Sequence, residues 1–166
     1  MKKTLITLLA FGIFTVGLAQ NNPRVVGEIK ILQSEILDEE REIVVFTPQN
    51  YQTSNEKFPV FYLLDGEWNF HFVSSLVDKL ADWGDVPKMI VVGINNTNRN
   101  RDLTPPEENS NPNSFGGGKK FLNFIIQELQ PWIDQNYRTH PYSILGGHSF
   151  GGLFTVYAMM EEPGFF

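Results

Sequence analysis

A serine set between glycines, Gly147-His148-Ser149-Phe150-Gly151, is the stretch of this chain whose residue types could do covalent chemistry. The apolar run Ser143-Ile144-Leu145-Gly146 precedes it, and Leu153-Phe154-Thr155-Val156-Tyr157-Ala158 follows. That order predicts a strand, a sharp turn and a helix, the setting in which a serine hydroxyl projects from the end of a sheet. Side chains two residues either side of Ser149 would strike the neighbouring strand and helix, so glycine fits both positions. The N–H after the serine, that of Phe150, then sits at a helix N-terminus, where amide dipoles favour an oxyanion. Ser149 is thus a candidate nucleophile and the Phe150 N–H a candidate oxyanion donor. The bare glycine–serine pattern also occurs in tight packing turns, and it is the flanking strand and helix that give it meaning.

A serine nucleophile needs a general base, and the base needs an orienting acid. In a strand–serine–helix architecture these follow in the order serine, acid, histidine. Seventeen residues follow Ser149 and none is a histidine. Glu161 and Glu162 are expected about three turns down the helix, pointing away. His148 adjoins Ser149 at a turn where neighbouring side chains diverge, so local packing or hydrogen bonding is its expected role. His71 opens the first long helix, and His140 precedes Pro141 on the way into the last strand. None makes a convincing base. Three scattered histidines, no cysteine and no calcium-loop pattern predict neither metal nor cofactor. Gly116-Gly117-Gly118-Lys119 lacks the spacing and hydroxyl of a phosphate loop and reads as a turn into a helix.

The elements that would position the serine read clearly from Val25 onward. Residues 1–19 form an expected secretory leader: Met1-Lys2-Lys3, an uncharged apolar stretch from Leu5 to Leu18, and small residues up to a cut after Ala19. Removing Lys2 and Lys3 takes the formal net charge from −6 to −8. An acidic exported chain is a poor partner for nucleic acid or an anionic membrane. Periplasmic or secreted localisation is expected, with residues 20–166 as one domain, which the family resemblance given below implies is partial. Val25–Ile31, continuing through Ser34–Leu37, and Glu42–Pro48 predict an antiparallel hairpin at a sheet edge, with Asp38-Glu39-Glu40-Arg41 as a solvated charged turn. The unbroken apolar runs Phe58–Leu64 and Met89–Ile94 predict strands buried on both faces. Between them a helix is expected from Asn69 to Ala81, with Phe72, Val73, Leu76, Val77 and Leu80 facing the core. Strand, helix, strand with short connections predicts a parallel, right-handed crossover. Asn95–Gly118 is a long polar segment, read as a binding loop or lid, whose Arg99, Arg101 and Asp102 are either solvated or line a substrate entrance. Lys119–Tyr137 predicts a helix, kinked or restarted at Pro131.

Several stretches together resemble a known family. Tyr62-Leu63-Leu64-Asp65-Gly66, Arg101-Asp102-Leu103-Thr104-Pro105, Phe121-Leu122 through Glu128-Leu129-Gln130-Pro131-Trp132-Ile133, Tyr137-Arg138-Thr139 and Gly147–Phe154 are similar to the "putative esterase" family of α/β-hydrolases. That family includes siderophore trilactone esterases, feruloyl and other carbohydrate esterases, S-formylglutathione hydrolase and mycolyltransferases. The resemblance implies an α/β-hydrolase fold, a mixed and mostly parallel sheet with flanking helices. It implies Ser149 as nucleophile, with Phe150 N–H and a backbone N–H just after Asp65-Gly66, that of Glu67, as oxyanion donors. Asp65, Gly66, Arg99, Arg101 and His148 are the candidate substrate-binding residues. Family members continue into further strands that carry the acid and the histidine. The expectation is therefore an N-terminal portion of an exported serine esterase, nearly inactive alone, acting on a small-molecule siderophore or a feruloyl or acetyl carbohydrate ester. A non-catalytic binding module on the same fold, and acyl transfer by the same serine, stand as alternatives.

Overall fold

The apolar runs assemble into one mixed sheet with helices on both faces. The computed structural model describes residues 26–108, 111 and 113–166; the expected leader lies outside them. Strands β1 (Glu28–Ser34), β2 (Glu39–Phe46), β3 (Phe58–Leu64), β4 (Ile90–Ile94) and β5 (Thr139–Gly146) stand in the order β1-β2-β4-β3-β5. β1 and β2 make the edge hairpin, and β2 joins β4 antiparallel. β3 lies parallel to both β4 and β5. Runs without alternation suit strands covered on both faces, and Ile90, Val91 and Val92 have no exposed surface.

One face carries α1 (Gly66–Trp83), whose Phe70 and Val77 pack on Leu63, Met89 and Val91. The other carries α3 (Gly118–Phe124), α4 (Gln130–Asn136) and α5 (Phe150–Glu161), with Phe121, Ile125, Ile133 and Phe154 closing over Val60, Tyr62 and Leu64. A short α2 (Arg99–Leu103) interrupts the long polar segment and buries Leu103.

Three expectations change in detail. The core face of α1 is rotated: Phe70, Ser74 and Val77 are buried, while Phe72 and Leu76 are exposed. The cause is close approach, because a Cβ on Gly66 would lie 2.8 Å from the Gly93 carbonyl carbon, and one on Gly93 would lie 2.7 Å from the Phe70 ring. Glycine on β4 admits the helix along its Gly66–Phe70 side, and that contact sets the rotation. Second, the hairpin turn falls at residues 35–38, ahead of the expected charged turn. Glu128 accepts the Glu35 and Ile36 N–H groups at 2.9 Å each and the Ser34 hydroxyl at 2.5 Å. Glu39, Glu40 and Arg41 consequently enter β2, and Arg41 is fully buried. Third, the interruption at Pro131 takes the form of a π-helical turn over Ile125–Leu129, ahead of the proline. A proline removes one N–H and crowds the carbonyl four residues back. Here Gln130 N–H reaches the carbonyl of Ile125, five residues back, and the widened turn hands over to α4.

Candidate active site

β3 and β5 are adjacent and parallel, with Leu63 beside Gly146, so the turns that follow them emerge at the same end of the sheet. Each turn enters a helix through a residue with positive φ that is not glycine. Asp65 (φ 55°, ψ 47°) precedes α1, and Ser149 (φ 57°, ψ −118°) precedes α5. Such conformations cost on the order of 1–3 kcal/mol and persist where surrounding structure enforces them. Both residues occupy the N-cap position, where Asp or Ser ordinarily accepts a first-turn N–H. Neither side chain does so here. The Asp65 carboxylate is directed to Arg99 and Asn96. Ser149 is exposed at the turn. Two helix N-termini, whose first N–H groups have no intrahelical acceptor, thus open side by side, one of them at the Ser149 turn.

The Phe150 N–H opens α5 and the Glu67 N–H lies in the first turn of α1. Further along, Trp68 and Asn69 N–H close onto the Asp65 carbonyl at 3.2 and 3.1 Å, and Gly151 N–H onto that of His148 at 2.9 Å. The elbow has no room for a side chain at Gly147, where a Cβ would lie 2.7 Å from the Gly151 carbonyl carbon. At Gly151 a Cβ would sit 3.4 Å from Asp65 Oδ2, an ordinary contact, which shows how near the two turns are.

Arg99 stands between them. Its Nε and Nη2 donate to the two Asp65 oxygens at 2.7 and 2.9 Å, and Nη2 lies 3.4 Å from the His148 carbonyl. Its guanidinium carbon is 5.5 Å from the Trp68 ring and 5.3 Å from the Phe150 ring. The bonds to Asp65 raise its pKa above the ordinary arginine value; desolvation opposes this, and the charges of Asp65 and Glu67 add to it. Asn96 is a participant that sequence reasoning missed. Its side-chain amide donates to Asp65 at 2.8 Å and to Glu67 at 2.7 Å. Its signal was modest: a polar residue just past the end of a buried strand.

The remaining candidates fall into place around this pair of turns. Asp65 is 2% exposed with both oxygens engaged, and Gly66 is buried, so both shape the turn and neither faces a ligand. Arg101 does not line an entrance: its guanidinium donates to Glu39 and to Asp102. Asp102 is not a solvated charge either, being ion-paired with the buried Arg41. His148 is exposed beside the serine. His71 is exposed on α1, its ring edge-on to Phe70 at 5.9 Å. His140 lies inside β5 near its start, and six residues of strand put it about 20 Å from Gly146. Glu161 and Glu162 pair with Lys119 at 2.9 and 3.9 Å, far down α5. A hollow of about 450 Å³ beside Lys30, Tyr51, Trp132 and Tyr137 lies at the opposite end of the sheet, away from Ser149.

Comparison with known proteins gives the family and the fold. Residues 34–166 match the family described as "Putative esterase". The chain is 28% identical over 133 residues to the uncharacterized protein YbbA of Bacillus subtilis, covering 76% of this chain and 53% of that one. It is 29% identical over 126 residues to the ferri-bacillibactin esterase BesA of the same organism, covering 64% of this chain and 44% of BesA. The chain therefore spans about half the length of the curated relatives it matches. Among solved structures, an IroE-like serine hydrolase from Shewanella oneidensis superposes with a TM-score of 0.78 at 40% identity, over 84% of this chain and 48% of that one.

Proposed function

Because the chain belongs to the esterase family of α/β-hydrolases, we propose that Ser149 is the nucleophile of a carboxylic ester hydrolase. In this reading its hydroxyl attacks the ester carbonyl, and the oxyanion forms between the Phe150 and Glu67 N–H groups. The alcohol then leaves, and water releases the acyl group. The observation that carries the reading is the pair of uncapped helix N-termini flanking an exposed serine that does not cap its own helix. Two fixed N–H dipoles aimed at one oxygen are what an acyl-transfer transition state requires. None of the three histidines is placed as a base with an orienting acid, so residues 1–166 by themselves should turn over slowly.

The substrate class proposed is a siderophore ester, since BesA is a ferri-bacillibactin esterase. We also propose export, on the strength of Lys2, Lys3 and the apolar stretch that follows; the N-terminal residue of the mature protein tests it, Gln20 being expected. For the activity, hydrolysis of a trilactone siderophore is compared with that of feruloyl and acetyl sugars by the full-length protein and its Ser149→Ala variant. The substitution should lower turnover by at least about 10⁴-fold and abolish fluorophosphonate labelling. Undiminished hydrolysis in the variant would refute the serine mechanism, and a preference for the sugar esters would refute the substrate class.

A further inference from the structure

Resting on that reading of Ser149, we infer that Arg99 is a positioning residue that holds the two oxyanion-bearing turns in register. Each turn alone is a local structure. One is set by Asp65 in the left-handed region, the other by Ser149 in a conformation unusual for a residue with a side chain. Their relative placement needs a link, and Arg99 touches both. Through Nε and Nη2 it grips both oxygens of Asp65, the residue whose carbonyl closes the first turn of α1. Through Nη2 it approaches the His148 carbonyl, which also accepts the Gly151 N–H. Its guanidinium also lies near two rings, Trp68 from the α1 turn and Phe150 from the α5 turn.

The mount of this clasp is rigid. Arg99 is the first residue of α2, a helix fastened by the buried pair Arg41–Asp102 and by Arg101 on Glu39. The Asn98 side chain caps it by accepting the Arg101 N–H at 3.1 Å. A planar fork engaging both oxygens of a carboxylate fixes orientation as well as distance, which a lysine ammonium cannot do. Asp65 is 2% exposed, so solvent does little to weaken the contact. The clasp therefore sets the separation of the Glu67 and Phe150 N–H groups, and with it how well both meet one developing oxyanion.

The test separates positioning from ligand contact. The full-length protein and its Arg99→Met, Arg99→Lys, Asp65→Asn and Arg99→Met/Asp65→Asn variants are assayed on a neutral and an anionic ester. Positioning predicts that Arg99→Met lowers kcat about 10²-fold on both esters, the scale of a misplacement near 1 Å, with KM little changed. Arg99→Lys should recover little, Asp65→Asn should reproduce the loss, and the double variant should be no worse than either single, as for residues acting as one unit. A defect confined to KM for the anionic ester would overturn the inference in favour of ligand contact; additive losses in the double variant would also overturn it. If Arg99→Met does not fold, the double variant, free of the lone buried carboxylate, supplies the kcat comparison. Activity surviving Ser149→Ala would instead refute the serine mechanism, whereas loss in Ser149→Ala with normal kcat in Arg99→Met would refute the clasp alone.

Discussion

The elbow at Ser149 and the α2 segment beside it are held by opposite means. The elbow is exposed, strained and built from neighbours in sequence: a serine at φ 57°, and a glycine that clears a backbone four residues on. The α2 segment is held by charges far apart in the chain, Arg41 with Asp102 and Glu39 with Arg101, and the first of these pairs is almost fully buried. Glu39 also accepts the Thr97 hydroxyl at 2.7 Å. Strain is tolerated at Ser149 because the structure around it is firmly tied. The contrast is between a site that spends stability and a platform that supplies rigidity.

The largest effect should come from breaking the platform. Asp102→Ala leaves Arg41 buried without its main partner and should destabilise the fold by about 3–5 kcal/mol, read from urea or thermal unfolding. Replacing both partners with Arg41→Met/Asp102→Leu should recover much of that loss, since a buried charge left with Glu39 alone at 2.9 Å is what costs most. Failure to recover would mean that the pair holds α2 in a way packing cannot replace. A smaller effect of opposite sign is expected at the elbow. Ser149→Gly relieves the strained conformation and should raise stability by about 1 kcal/mol while abolishing labelling by fluorophosphonate. A lowered melting temperature would show that the serine is not strained as the contrast requires.

The smallest effect concerns pH. Burial tends to raise the Glu39 carboxyl, but bonds from Arg101 and Thr97 and the charges of Arg41 and Arg101 hold it below the ordinary value of 4.5. The folded state therefore releases this proton more readily than the unfolded chain does. The associated stability is complete above pH 4.5 and is lost as pH falls from there through the lowered folded value. Melting curves from pH 6 to pH 3 should show this decline, and Glu39→Gln should flatten part of it. An unchanged slope in the variant would remove Glu39 from the platform.

Much of the frame was legible because it rests on short-range pattern. The unbroken runs of β3 and β4, the edge hairpin and the strand–turn–helix around Ser149 follow from periodicity and glycine placement. Where reading and structure part, a distant partner intervenes. Glu128 draws the hairpin turn forward, and Gly93 admits Phe70 and so rotates α1. In the sequence Arg41, Arg101 and Asp102 look like ordinary surface charges, because nothing local marks a residue for pairing with one some sixty positions away.

From its sequence alone, this chain declares a serine at the mouth of a helix, a sheet beneath it, and membership of an esterase family. Stereochemistry along a few consecutive residues suffices for the serine turn and the sheet, since a glycine, a positive φ and an apolar run act on their immediate neighbours; the family rests on the likeness of several separate motifs, matched over residues 34–166. The tertiary structure decided which side chains cap and which do not. It turned Asp65 from its own helix toward Arg99, buried Arg41 beneath Phe121 at 5.0 Å, and set two open helix N-termini side by side. Those outcomes depend on which distant charges and surfaces meet when the sheet closes, and contact between remote segments is settled by packing.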